Sequence, residues 1–300
     1  MKLIPLTLRD RKLFQGFLGF KEHDLSVYAF QNIYIWRKLF SIRWLIIDDN
    51  LCIFFQDKLG CFLFLPPLGR EKSPLAVSAA FQVMDSFNKN KEISRLENIE
   101  EPELSFYEQL GYECGFKSYD YICLREDLVS LRGDRFKSKR ASLNYFTKHY
   151  NFTYLPFSLG DAQACMSLYN LWRKQRSRSC QDRLYQGMLQ DGLRCLEVLL
   201  RDFKSLGLVG RVVKVNGKIK AFSFGYKLNE RTFCVLYEIT DLDIKGLAQF
   251  IFQRFSSELE SFKYINIMDD SGLENLKRVK NSYKPVRLAG AYIAKRRNTA

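Results

Sequence analysis

Several motifs that define common enzyme classes are absent from this chain of 300 residues. There is no G-x-x-x-x-G-K-[ST] phosphate loop, no G-x-G-x-x-G after a strand and no G-x-S-x-G around a nucleophilic serine. Histidine is scarce, with only His23 and His149, and no short-spaced set of side chains predicts a zinc site. The sequence therefore excludes the enzyme classes built on those motifs, and it predicts neither a metal nor a resident cofactor.

Long apolar runs and closely paired cysteines are also lacking. No apolar run approaches the roughly 20 residues of a membrane-spanning helix, and the first residues lack the apolar centre of a signal peptide. None of the eight cysteines forms a C-x-x-C pair, and most lie in apolar segments. This pattern predicts buried, reduced cysteines and a cytoplasmic protein, which binds at most peripherally at the inner face of the membrane.

Positive charge, in contrast, is abundant. Lysine and arginine number 47 against 33 acidic residues, a formal net charge of +14. A strongly basic chain favours polyanionic partners, here a nucleic acid or an anionic lipid surface. The oligomeric state cannot be predicted from charge or composition.

The densest basic segment, residues 131–150, lies near the middle of the chain. Wound as a helix, it has two faces at spacings of three and four residues. The cationic face carries Lys137, Arg140, Asn144 and Lys148, and the apolar face carries Leu143, Phe146 and Tyr150. A second basic segment, 173–183, is predicted to be a loop. The alternative for both segments is a solvated surface without a partner.

Predicted helices and strands follow in a similar order on either side of the 131–150 segment. In the second half, Asn216-Gly217 predicts a hairpin between two strands. A strand at 232–241, a helix beginning at Gly246, and then a strand, a short helix and a final strand at 286–296 follow it. This order resembles the Gcn5-related N-acyltransferase (GNAT) fold. The prediction is an α+β protein of two tandem GNAT-like domains, 1–130 and 131–300, each a mixed, mainly antiparallel sheet flanked by helices.

Three stretches resemble one bacterial family, the soluble C-terminal domain of phosphatidylglycerol lysyltransferase and its stand-alone relatives. They are LSVYAFQNIYIW at 25–36, RGDRFKSKRASLNYF at 132–146 and INIMDDSGLENLKRVKNSYKP at 265–285. The positions that match the family pattern are Lys139, Arg140, Asn266, Asp269, Asp270, Gly272, Leu276, Lys277, Lys280, Ser282, Tyr283 and Pro285. The chain departs from the pattern at Ala141, Ile267 and Met268. The resemblance implies transfer of an amino acid from aminoacyl-tRNA to phosphatidylglycerol or a similar acceptor.

Four residues are candidates for the chemistry. Glu238 is an acid in an otherwise apolar strand, where burial would raise its pKa and suit it to act as a base or to bind an amine; the alternative is an acid that faces solvent. Asp269 and Asp270 follow a strand and would bind an ammonium group, or else cap the next helix. Tyr283, with Lys277 and Lys280, would bind phosphate or polarise the carbonyl, and the alternative is a packed tyrosine with solvated lysines.

A further set of residues is predicted to bind substrate. Its members are Lys137, Lys139, Arg140, Arg176 and Arg178 for phosphates, together with Gly246, Asn266, Lys277 and Lys280. The turn at Gly246 resembles the pyrophosphate-binding loop of coenzyme A-dependent relatives, but Asp243 opens it and disfavours an anion there. Two alternatives therefore remain beside aminoacyl-tRNA: an acyl-coenzyme A-dependent N-acyltransferase, and a non-catalytic protein that binds nucleic acid or membranes.

Overall fold

The structure, a computed structural model, describes residues 2–179 and 182–297. In the first part of the chain the elements are β1 (Ile4–Pro5), α1 (Arg11–Leu18), α2 (Phe30–Tyr34), β2 (Ser41–Ile47), β3 (Asn50–Gln56), β4 (Cys61–Leu63), α3 (Pro74–Phe87), β5 (Arg95–Glu100), α4 (Leu104–Gln109) and β6 (Tyr112–Leu124). These are followed by α5 (Arg125–Ser130), α6 (Lys137–His149), β7 (Phe152–Pro156), α7 (Ala162–Ser179), α8 (Arg183–Arg201), α9 (Phe203–Leu206), β8 (Val209–Val215), β9 (Lys218–Lys227), β10 (Thr232–Thr240), α10 (Leu247–Glu258), β11 (Tyr264–Asn266), α11 (Glu274–Asn281) and β12 (Arg287–Arg296).

The chain divides into two compact units, each built from segments that are not contiguous in sequence. The first unit contains the residues up to Asp120, Asp269–Leu276 and the chain from Leu288. The second contains Tyr121–Met268 and Lys277–Arg287. The sequence placed a single division after residue 130 and the last strand in the second domain, because local patterns carry no information about long-range strand pairing.

In the first unit the strand order is β1-β2-β3-β4-β5-β12. Neighbouring strands are antiparallel except β4 and β5, which are parallel and pair only at Leu63 and Leu96. Helix α3 begins at Pro74, and the Ser73 hydroxyl accepts a hydrogen bond from the Ala76 N–H. Strand β4 is short, since only Cys61–Leu63 pairs as a strand.

In the second unit the order is β11-β10-β9-β8-β7, and the last residues of β6 lie beside β11. The β10–β11 pair is parallel and the other pairs are antiparallel. The predicted hairpin between β8 and β9 is confirmed, since Asn216 and Gly217 both have positive φ angles, 50° and 76°, as a two-residue turn of this type requires. No described helix of the chain is long and apolar enough to cross a membrane.

The helices of the second unit cover opposite faces of its sheet. The Tyr237 hydroxyl donates to the Gly192 carbonyl, so this side chain points toward α7 and α8. Successive side chains in a strand point to opposite faces, so the next residue, Glu238, points the other way. Ala221 of β9 lies on that second face and packs against Phe146 of α6 and Leu247 of α10.

Two predicted boundaries in this unit need correction. Helix α7 continues to Ser179, so the predicted loop at 173–183 is helical over its first seven residues, and Cys180 and Gln181 lie outside the described residues. Arginine, lysine and glutamine are good helix formers, and a charged segment is easily mistaken for a loop when its period is weak. Helix α6 is shorter than predicted, Lys137–His149, because Gly133 and a tight turn at Asp134–Phe136 precede it.

Candidate functional site

The candidate site is centred on Glu238, where β10 extends beyond its parallel neighbour. β11 ends at Asn266, opposite Cys234, whereas β10 continues to Thr240. One extra residue between Val235 and Tyr237 forms a β-bulge against β9, which redirects the following side chains. Glu238 therefore lies in a strand segment that is paired on its β9 side and has passed the end of β11.

The burial of the Glu238 carboxyl group is poorly compensated by hydrogen bonds. The side chain is half-buried, but its Oε2 atom is inaccessible to solvent and has no hydrogen-bonding partner among the described residues. Burial raises the pKa of Glu238 to about 8, although the positive charges of Lys139 and Lys280 oppose the shift. A carboxyl group of this kind exchanges a proton near neutral pH, which is the property required of a general base.

Lys139 reaches this site from α6. Its ammonium nitrogen lies 3.8 Å from the centre of the Tyr283 ring. Burial lowers the pKa of Lys139, opposed by the charge of Glu238. Tyr283 is buried as well. Burial is the largest cause that raises the pKa of its hydroxyl, and the charges of Glu238 and Cys123 add to the effect. Three residues that the sequence singled out separately, Glu238, Lys139 and Tyr283, therefore form one electrostatically connected group in the second unit.

Asn266 and Lys280 shape the end of β11. Asn266 is fully buried, and its Oδ1 atom accepts a hydrogen bond of 2.6 Å from the Met268 N–H. This bond supports the left-handed backbone of Met268, whose φ is 62°. The Lys280 ammonium group donates to the Ile267 carbonyl and adds its charge to the surroundings of Glu238. Both residues hold the backbone of this segment in place.

Asp269 and Asp270, in the first unit, are engaged in a local turn. Asp269 Oδ1 accepts a hydrogen bond of 3.3 Å from the Ser271 N–H, and Asp270 Oδ1 accepts one of 2.9 Å from the Gly272 N–H. Both bonds form turns before α11, which begins at Glu274, so these two bonds do not cap that helix. Lys277 is exposed on α11.

The predicted phosphate-binding residues divide between the two faces of the second unit's sheet. Lys137 is exposed at the start of α6, whereas the Arg140 guanidinium donates to the carbonyls of Leu131 and Gly133 and thereby holds the turn before the helix. Arg176 and Arg178 lie on α7, which covers the opposite face. The structure therefore does not join these five residues into one basic surface.

Gly246 is occupied by helix packing. It has a φ of 84° at the start of α10, and a Cβ atom at this position would lie 2.0 Å from the Ser142 carbonyl oxygen of α6. Only glycine allows this approach of the two helices. The glycine that suggested a phosphate-binding turn is explained by the contact between α6 and α10.

Ser223 was missed by sequence reasoning. It lies on β9 directly opposite Glu238, is fully buried, and its Oγ atom has no hydrogen-bonding partner among the described residues. A buried hydroxyl left unsatisfied costs roughly 1–3 kcal/mol, so its position opposite Glu238 calls for an explanation. The register of the β9–β10 hairpin would have revealed the pair, but the bulge in β10 shifts that register by one residue.

The fold is that of GNAT-type tandem acyltransferases, and the predicted α+β fold class is confirmed. A tandem GNAT protein from the clavulanic acid biosynthesis pathway has a TM-score of 0.55 at 8% identity and covers 100% of this chain and 99% of its own. Residues 20–295 match the family model described as phosphatidylglycerol lysyltransferase, C-terminal, and the chain belongs to that family.

Two further solved structures resemble the chain over nearly its whole length. A conserved protein of unknown function from Bacteroides thetaiotaomicron is 28% identical, with a TM-score of 0.87, and the match covers 99% of this chain and 100% of that one. The L-PGS of Bacillus licheniformis is 19% identical, with a TM-score of 0.65 and coverage of 97% and 93%. A comparison with proteins of curated function gives no match.

Proposed function

We propose that this chain is an aminoacyltransferase that moves an amino acid from aminoacyl-tRNA to a hydroxyl group of phosphatidylglycerol or of a similar polar acceptor. Family membership and the fold support acyl transfer in general. The observation that carries the proposal is the buried, unpartnered carboxyl oxygen of Glu238, in the segment of β10 that extends past β11.

The reaction needs a base more than it needs a nucleophile on the protein, because an aminoacyl ester is already activated. The acceptor hydroxyl oxygen attacks the ester carbonyl carbon and forms a new C–O bond, and the bond to the ribose oxygen of the tRNA breaks. Glu238 takes the hydroxyl proton and returns it to the departing ribose oxygen. A carboxylate whose pKa is raised to about 8 is a stronger base than an ordinary one and is partly ionised at neutral pH.

Lys139 is suited to stabilise the negative charge that develops on the carbonyl oxygen. Its ammonium group is partly desolvated, and a fixed positive charge in a site with little water is more effective than the same charge in bulk solvent. Lys280 is held by the Ile267 carbonyl and contributes mainly through its charge. The Tyr283 ring holds the Lys139 ammonium group through a cation–π contact.

Use of an acyl-coenzyme A is the rival within the same class, and the turn before α10 disfavours it. The Ser142 carbonyl, a hydrogen-bond acceptor, lies against Gly246, and the Lys245 ammonium nitrogen lies 4.5 Å from the centre of the Tyr145 ring of α6. A pyrophosphate at a helix start needs open N–H groups. Here α6 packs over that start, which counts against a bound pyrophosphate.

The test incubates the protein with tRNA charged with a radiolabelled amino-acid mixture and with vesicles that contain phosphatidylglycerol, and it measures label in the lipid extract. We expect labelled lipid with the wild type and a loss of about 10²- to 10⁴-fold in Glu238→Gln. Glu230→Gln, which removes an exposed acid of the same unit, is the matched control and should keep wild-type activity.

Two outcomes of this test would contradict the proposal. No labelled product together with micromolar binding of coenzyme A, measured by titration calorimetry, would support the N-acyltransferase. No product and no coenzyme A binding, with retained binding to tRNA or anionic vesicles, would support a non-catalytic binding protein.

A further inference from the structure

Two unpartnered polar atoms lie opposite each other between β9 and β10, and the proposed chemistry uses only one of them. Glu238 and Ser223 are directly paired in antiparallel register, so their side chains share one face with Cβ atoms about 4.5–5.5 Å apart. Ser223 Oγ and Glu238 Oε2 are both inaccessible, and neither has a hydrogen-bonding partner among the described residues.

The two groups are chemically complementary in one protonation state. An ionised carboxylate only accepts hydrogen bonds, whereas a serine hydroxyl can donate one. Side chains of residues that are directly paired in antiparallel strands are within reach of each other. Ser223 and an ionised Glu238 are therefore a matched donor and acceptor.

Other charged and polar groups surround Glu238. Lys139 of α6 and Lys280 of α11 lower the pKa of Glu238, and the charge of Glu238 in turn raises the pKa of the Tyr283 hydroxyl that follows α11. Each lysine also has a contact of its own: Lys139 lies over the Tyr283 ring, and Lys280 donates to a backbone carbonyl. The α10 residues that pack in one cluster with Ala221 of β9 are apolar, namely Leu247, Phe250 and Ile251.

We propose that Ser223 is a positioning residue for Glu238, whose hydroxyl donates a hydrogen bond to the ionised carboxylate and fixes its orientation for accepting the proton of the attacking group. The inference rests on the proposed role of Glu238 as the proton acceptor. Ser223 is too deeply buried to contact substrate, so it acts only through Glu238.

A titration of the Glu238 carboxyl group tests the bond without any turnover. Protein labelled with ¹³C at the glutamate carboxyl carbons is titrated by NMR, and the Glu238 signal is assigned by its loss in Glu238→Gln. Ser223→Ala should raise the pKa of Glu238 by about one unit, because a hydrogen bond to the charged form favours ionisation. Ser256→Ala is the matched control, since the Ser256 hydroxyl is also buried and unpartnered but lies on α10.

The transfer assay is an independent second measurement of the role of Ser223. Ser223→Ala should lower the rate about tenfold at pH 7, and the deficit should shrink as the pH rises through the shifted pKa. Ser223→Cys, which keeps a weak donor of similar size, should lie between the two, and it replaces the alanine variant if that one does not fold. An unshifted Glu238 pKa with a rate loss equal at all pH values would overturn the proposal and leave Ser223 as a packing residue.

The two readings separate the inference from the function on which it rests. If the protein transfers no amino acid but Ser223→Ala still shifts the Glu238 pKa, the bond is supported and the proposed function fails. If transfer is observed and the pKa does not move, the function stands and the role of Ser223 fails.

Discussion

The ammonium nitrogen of Lys139 lies 3.8 Å from the centre of the Tyr283 ring. The contact joins the basic segment in the middle of the chain to the Lys-x-Ser-Tyr-x-Pro stretch near its end, two of the three stretches that resemble the family. Both residues are affected by the charge of Glu238. Lys139 is therefore part of the Glu238 site rather than of an open basic surface.

Removing this positive charge should change the acidity of Glu238. Lys139→Met keeps an unbranched apolar side chain and removes one of the two positive charges that hold the Glu238 pKa down to about 8. We expect that pKa to rise and the transfer rate at pH 7 to fall at least about tenfold. The measurement is the ¹³C carboxyl titration, with Lys137→Met, an exposed position on the same helix, as the control. An unchanged Glu238 pKa in the Lys139 variant would contradict the proposed coupling.

The burial of Glu238 should cost stability at higher pH. Its pKa is raised from 4.5 to about 8 in the folded state, so between these values the unfolded chain loses a proton that the folded protein keeps. Stability contributed by the protonated group is complete below about pH 4.5 and is lost as the pH rises to about 8. Glu238→Gln does not titrate, so its stability relative to the wild type should grow by at most about 5 kcal/mol across this window, since each unit of pKa shift corresponds to about 1.4 kcal/mol. Urea unfolding at pH 4.5, 6, 8 and 9 measures it, and a difference that stays constant with pH would count against the burial.

Two glycines with similar backbone angles should differ in their tolerance of a side chain. Gly246 and Gly217 have φ angles of 84° and 76°, but a Cβ atom added at Gly246 would lie 2.0 Å from the Ser142 carbonyl oxygen, whereas one added at Gly217 would meet nothing within 4 Å. Gly217→Ala should cost about 1–2 kcal/mol for its left-handed backbone. Gly246→Ala should cost at least about 3 kcal/mol, because α6 and α10 must also separate. Chemical denaturation compares the two, and equal losses would show that the close approach of α6 and α10 is not required.

Polyanion binding should depend on the exposed lysines of α6 and not on Arg140. Lys137 and Lys148 are exposed, so reversing both charges should reduce the slope of log affinity against log salt concentration for tRNA binding by roughly 1.4–1.8. The free energy of unfolding should change by no more than about 0.5 kcal/mol. Arg140→Glu should instead destabilise the protein by about 1–3 kcal/mol, because two backbone carbonyls lose their donor. Filter binding at several salt concentrations and urea unfolding give the two readings. An unchanged slope in the double variant would mean that this face of α6 is only solvated.

Local sequence patterns predicted the turn and the helix whose formation depends on neighbouring residues alone. The Asn216-Gly217 turn is confirmed because only residues that tolerate positive φ form such a turn. The helix after Gly246 is confirmed because its apolar residues recur at helical spacing. The loop predicted from residue 173 was wrong, because the charged last turns of α7 lack a clear hydrophobic period.

By itself, the sequence determined the fold class and the family, since the order of helices and strands and three short stretches are local properties of the chain. Only the tertiary structure decided which of the named residues meet. It brought Lys139, Tyr283 and Glu238 together from distant positions and placed Arg176 on the other face of the sheet. The reason is that α6 packs on one face, where Phe146 meets Ala221, and α7 packs on the other. It also decided that Ser223 faces Glu238, because strand register depends on hydrogen bonds between strands and on the bulge that shifts them.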